Sequence, residues 1–126
     1  MRVFIVEDSP LVQERLRAMV SDLEHADLIG DARDFTEALD LITELNPDMV
    51  ILDLRLPGGN GLEILKNIKQ RPDAPLVTVL TNHADPIYRE HCLKAGADFF
   101  FDKSTEFERA IEVIRSLTQQ RKNAEQ

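Results

Sequence analysis

The chain has 126 residues and only one cysteine, Cys92. An internal disulfide is therefore excluded, and so is a cysteine-rich metal site. Histidine is scarce as well. His25, His83 and His91 have neither the His-Glu-x-x-His pattern nor Cys/His zinc spacing. No apolar run approaches the roughly 18 residues of a membrane span. Met1–Arg2 leads straight into VFIV and Glu7–Asp8, which is not a signal-peptide pattern. Positive charge is also in short supply. Against 23 Asp and Glu stand 15 Lys and Arg, for a net charge of −8. That balance disfavours gripping nucleic acid by its phosphates and leaves room for a cationic ligand. These absences point to a reducing, cytoplasmic compartment, with no membrane and no direct nucleic-acid contact by this chain.

What is present is enough for one domain with a real core, since 43% of the residues are hydrophobic. Strand and helix patterns alternate five times. VFIV at 3–6 is a short apolar run suited to a strand buried on both faces. Ser9 and Pro10 follow as N-cap and first-turn proline, with Val12, Leu16, Met19, Val20 and Leu23 at helical spacing behind them. Asp27–Ala32 reads as a weaker strand. Asp34 and Glu37 resemble a capping box before a stripe of Phe35, Ala38, Leu39, Ile42 and Leu45. Met49–Leu52 and Leu76–Leu80 are the third and fourth strands, and Phe99–Phe101 is the fifth. LPGGNG at 56–61 reads as loop. Helices are expected over 62–69 and 87–95, the second closed by Gly96. A last stripe runs through Phe107, Ala110, Ile111, Ile114 and Leu117; the nine residues after it read as frayed helix end or tail. This alternation implies an α/β fold with a parallel sheet covered by helices on both faces.

In open parallel sheets, ligands bind outside the carboxyl ends of the strands. The first strand ends in Glu7–Asp8, the third in Asp53, the fourth in Thr81 and the fifth in Asp102–Lys103. Clustered carboxylates repel one another unless a cation intervenes. Oxygen-only ligands select a hard cation, Mg²⁺ or Mn²⁺, over Zn²⁺. Lys103 can screen the carboxylates and hold a phosphoryl oxygen, and Thr81 can donate to another. Asp53 is placed to act as a carboxylate nucleophile. Phosphoryl transfer to Asp53 is the chemistry that needs this set.

At these residues the sequence resembles the receiver domains of two-component response regulators. The matching segments are VFIVEDSP, VILDLRLPGGNGLE, VLTNHA and AGADFFFDKS, in that order, and the resemblance covers about residues 2–118. The resemblance implies a flavodoxin-like (βα)5 three-layer sandwich with strand order 2-1-3-4-5. Residues 1–120 would be the receiver and 121–126 a polar tail. Asp8, Asp53 and the backbone carbonyl of Arg55 would hold Mg²⁺, with Glu7 acting through a water. Asp53 would take a phosphoryl group from a phosphohistidine on a kinase or phosphotransfer protein and lose it slowly to water. Thr81, Lys103 and the Asn82 backbone would bind the phosphoryl group. Thr81 and Phe100 match the pair that couples phosphorylation to the surface of the fourth helix, fifth strand and fifth helix. By the same resemblance that surface would serve a downstream protein target or a phosphorylation-dependent homodimer.

Several positions depart from the commonest family pattern. Glu7 stands where Asp is usual, and Phe100 lacks a tyrosine hydroxyl. Ser104 follows Lys103 where many members carry a cis proline, so a cis bond is not expected there. Arg55 and His83 stand two residues after Asp53 and Thr81, where side chains can approach the attacking water and tune the rate. A strand alternates its faces, so Phe99 and Phe101 read as core and Phe100 as pointing the other way. Tyr88 reads as helix packing, and His83 and His91 as solvated.

A conventional enzyme is not expected. An aspartyl-phosphate phosphatase carries a second acid two residues after its nucleophile, and that position is Arg55. A flavin carrier on this fold needs a phosphate loop after the first strand, where EDSPLV is acidic. The reading favours a free-standing receiver over one cut from a regulator with a C-terminal helix-turn-helix DNA-binding domain.

Overall fold

The computed structural model describes residues 1–124. Five parallel strands form the central sheet: β1 (Arg2–Val6), β2 (Asp27–Ala32), β3 (Met49–Leu52), β6 (Leu76–Thr81) and β7 (Phe99–Asp102). Their spatial order is β2-β1-β3-β6-β7. A small antiparallel hairpin, β4 (Arg55–Leu56) and β5 (Gly59–Asn60), interrupts the chain after β3. With the hairpin set aside, the order is the expected 2-1-3-4-5 of the flavodoxin-like fold. LPGGNG is therefore more ordered than a plain loop. Gly58 supplies a positive φ of 82° at its turn, a conformation open to glycine and strained for other residues.

Helices cover both faces. α1 (Pro10–Ser21) and α5 (Phe107–Ala124) lie on one side; α2 (Phe35–Leu45), α3 (Gly61–Lys69) and α4 (Pro86–Lys94) lie on the other. Strand alternation divides the core accordingly. Val3 and Ile5 join Leu16, Val20, Ile111 and Ile114, while Phe4 and Val6 join Ile42, Ile64, Leu65 and Ile68. Each face thus buries one apolar stripe per helix, the largest favourable contribution to this fold.

The helix starts follow local chemistry. The side chains of Ser9, Asp34, Asn60 and Asp85 each accept a backbone N–H at the start of α1, α2, α3 and α4. α5 continues into the segment read as a polar tail, 121–126. It remains helical through Ala124, and Arg121 forms a 3.0 Å ion pair with Asp48 at the opposite edge of the sheet from Asp53. Residues 125–126 of that expected tail lie outside the described residues. No helix among the described residues is long and apolar enough to cross a membrane.

Candidate functional site

The sheet's hydrogen bonding does not stop where the strands stop. The Glu7 N–H donates to Ala32 O, Asp53 N–H to Val6 O and Lys103 N–H to Thr81 O, at 3.0, 3.0 and 2.9 Å. The residues just past three strand ends are therefore pinned by backbone, and their side chains converge at one edge. Glu7, Asp8 and Asp53 present carboxylate oxygens all within 4.8 Å of one another.

Lys103 Nζ lies between two of them, 2.8 Å from Glu7 Oε2 and 2.9 Å from Asp53 Oδ2. Its side chain is 8% exposed, and those of Glu7 and Asp53 are 2% and 7% exposed. The second oxygens are also occupied. Asp53 Oδ1 accepts the Leu54 N–H at 2.7 Å, and Glu7 Oε1 accepts the Ser9 N–H at 3.1 Å. Burial pushes the Glu7 carboxyl above its ordinary range, and the neighbouring Asp53 charge adds to that push; the hydrogen bond from Lys103 opposes it. Burial alone would lower the Lys103 ammonium. The hydrogen bonds and charges of Glu7 and Asp53 outweigh it, and the ammonium is raised.

Asp8 is different. It is exposed and makes no side-chain hydrogen bond or ion pair among the described residues. An exposed carboxylate beside two buried ones, with no nitrogen or sulfur donor in the cluster, fits a hard divalent cation.

Of the other predicted residues, Thr81, Asn82 and Arg55 flank this cluster and Phe100 does not. Thr81 is fully buried at the end of β6, and its Oγ1 accepts the His83 N–H at 3.1 Å. Asn82 Oδ1 accepts from Ser104 Oγ at 3.0 Å, which ties the loop after β6 to the loop after β7. No cis peptide bond occurs among the described residues, as expected at Ser104. Arg55 lies on β4 with its side chain exposed and without an ion pair among the described residues. Phe100 is not at the site. It points to the face opposite Phe99 and Phe101, as expected, but that face is core too: it packs with Cys92 and Ala97 under α4. The Arg89 guanidinium sits 5.6 Å from the Phe100 ring.

His83 is half-buried, and Tyr88 is exposed on the first turn of α4. Together with Asp8, Leu54 and Arg55 they line a cleft of about 290 Å³ that opens beside the carboxylates. The Tyr88 and His83 rings meet edge to face, with centroids 6.5 Å apart. Tyr88 stands seven residues after the end of β6, but its place in the cleft depends on how α4 packs, which spacing does not state.

The response regulator receiver domain family model matches residues 3–115, nine-tenths of the chain. The chain belongs to the response regulator receiver domains. Among curated relatives, Response regulator GacA of Pseudomonas aeruginosa is 31% identical over 117 residues, covering 92% of this chain and 54% of the relative. Transcriptional regulatory protein YdfI of Bacillus subtilis is 33% identical over 107 residues, covering 85% of this chain and 50% of the relative. The receiver domain of the putative response regulator NarL from Mycobacterium tuberculosis superposes with a TM-score of 0.84 at 25% identity. That comparison covers 94% of this chain and 95% of that one. This receiver domain spans about half the length of the curated relatives it matches. Receiver domains serve two-component signalling, where they interact with histidine kinases and downstream targets. They generally bind Mg²⁺, and this one holds an acidic cluster able to take a metal.

Proposed function

We propose that Asp53 is the phosphoacceptor of this receiver and takes its phosphoryl group from a phosphohistidine on a kinase or phosphotransfer protein. The observation that carries this reading is the Lys103 ammonium held between Asp53 and Glu7. A surface lysine needs no such seat; a phosphoryl-binding lysine does. In the transfer, an Asp53 carboxylate oxygen attacks phosphorus. The bond from phosphorus to the histidine nitrogen breaks, and the electron pair leaves with the imidazole, which keeps or takes up a proton. Lys103 turns one of its N–H groups to a phosphoryl oxygen as a point charge. Thr81 accepts from His83 and so keeps its own O–H free to donate to a second oxygen. The Asn82 backbone lies next to it and serves a third.

The group that completes the site is Mg²⁺, with Mn²⁺ as a substitute. Asp8, Asp53 and the Arg55 carbonyl would hold it, and Glu7 would act through water. When bound, it supplies positive charge against the carboxylates and the incoming phosphoryl oxygens. Thr81 and Phe100 form the proposed switch, which in this chain works through packing, since Phe100 has no hydroxyl. Arg55 and His83 flank the cleft where water would enter and tune the lifetime of the phosphorylated state. The receiver acts on a downstream protein, or on a second copy of itself, in the cytoplasm.

Incubation with acetyl phosphate and Mg²⁺ followed by intact-mass measurement tests this directly. One added phosphoryl mass is expected, and none in Asp53→Ala. An unmodified wild-type chain would refute the reading.

The half-length match to a relative named a transcriptional regulator favours a second reading. Here a DNA-binding output follows the receiver in the same protein. The reading frame of the intact gene separates the two.

A further inference from the structure

The cleft beside Asp53 has one wall that the phosphoacceptor chemistry does not itself require. Asp85 caps α4, its Oδ1 accepting the N–H groups of Ile87 and Tyr88 at 3.0 and 3.1 Å. That cap places Tyr88 on the first turn of the helix. Its ring stands edge-on to His83 at 6.5 Å, with an interplanar angle of 65°. This lies within the range of a favourable aromatic contact. His83 is held at a second point by its backbone N–H, which donates to Thr81 Oγ1. Its backbone is thus fixed from the strand and its ring from the helix. Arg55, which has no ion pair among the described residues, also lines the cleft. Asp8 and Leu54, on either side of Asp53, line the same space.

Building on the assignment of Asp53 as phosphoacceptor, we propose that Tyr88 is a positioning residue. It holds the His83 ring as one wall of the cleft and so limits how fast water reaches phosphorylated Asp53. In the step it restrains, a water oxygen attacks phosphorus and the bond from phosphorus to the Asp53 oxygen breaks. Inorganic phosphate leaves with the water's protons shared between it and solvent, and the carboxylate is restored. Tyr88 does not touch the reacting atoms. Without its ring, the His83 side chain swings free and the cleft admits water more readily.

The test follows decay of the phosphorylated protein, by intact mass, after acetyl phosphate is removed. Tyr88→Leu is expected to decay about three- to tenfold faster, the rate equivalent of losing one aromatic contact. Tyr88→Phe keeps the ring and is expected to match wild type. His83→Ala is expected to decay as fast as Tyr88→Leu, and the double variant no faster than either. The ring-current shift of the His83 Hε1 proton is expected to persist in Tyr88→Phe and vanish in Tyr88→Leu. Unchanged decay in Tyr88→Leu overturns the proposal, and so does a full additional effect of that substitution on top of His83→Ala. Wild-type protein that takes no phosphate at all defeats the phosphoacceptor assignment, and this proposal falls with it.

Discussion

Glu7 illustrates what a single residue contributes and costs. Its carboxylate is almost fully buried, and burial favours the protonated form. The folded pKa lies above the unfolded value near 4.5. Glu7 therefore supports folding most below that value, and the support is lost as pH rises through the window above it. The Lys103 pair works in the same direction at the other end of the scale. Its folded pKa lies above 10.5, so its stabilisation is intact below that and lost as pH climbs past the raised value. Glu7→Gln removes the titrating group and keeps one oxygen for the Ser9 N–H, at the loss of the bond from Lys103, which then rests on Asp53. Measured against wild type, the metal-free variant is expected to be more stable at pH 8 than at pH 5. A thermal melt at both pH values without Mg²⁺ checks this; the same difference from wild type at both would contradict it. The identities of Glu7, Asp53 and Lys103 as strand-end residues were legible in the sequence. Their 2.8 and 2.9 Å contacts were not, because Lys103 comes 96 and 50 residues later in the chain.

At the scale of the element, the segment from Asp53 to the start of α3 governs the site. The hairpin folds back so closely that Gly61 N donates to Leu54 O at 2.7 Å. A Cβ on Gly61 would lie 2.2 Å from Asp53 O and 2.8 Å from Leu54 Cα, both backbone atoms with no rotamer to relieve them. Gly61→Ala is expected to cost about 2 kcal/mol, within the range of overpacking in a dense interior. It is also expected to cut phosphorylation of Asp53 severely, because the backbone that must move is the phosphoacceptor's own. Denaturant melts and the acetyl phosphate assay measure the two effects separately. The glycines and Pro57 in the segment signalled a turn. Whether that turn was loose or paired depended on whether its two arms could hydrogen-bond, which composition does not state. The starts of α1 and α2 were legible because Ser9 and Asp34 cap them locally; the Asp85 cap of α4 came only with the structure. α1 shows the limit of that reading. Gln13 is buried on it, its amide bonded to Asp31 and Arg33, in a place that an apolar stripe would leave to a hydrophobic residue.

At the scale of the whole molecule, the net charge of −8 is concentrated in part where three carboxylates meet. A cation that binds only the folded protein stabilises it by mass action. Mg²⁺ at a hundredfold excess over its dissociation constant is expected to add about 2.7 kcal/mol. For a domain of this size that is about 10 °C in melting temperature. Chelation should reverse the gain and Asp8→Asn should abolish it, as read by thermal melts with and without Mg²⁺. An equal shift in Asp8→Asn would move the cation elsewhere. The order of strands and helices, and the residue type at each strand end, were determined by the sequence alone, because period and capping are local properties. Only the tertiary structure decided that Lys103 sits between Glu7 and Asp53, that Phe100 lies in a second buried layer, and that Tyr88 walls the cleft. Each of those follows from how separate elements pack across the sheet, and packing is set by contacts between residues that are distant in the chain.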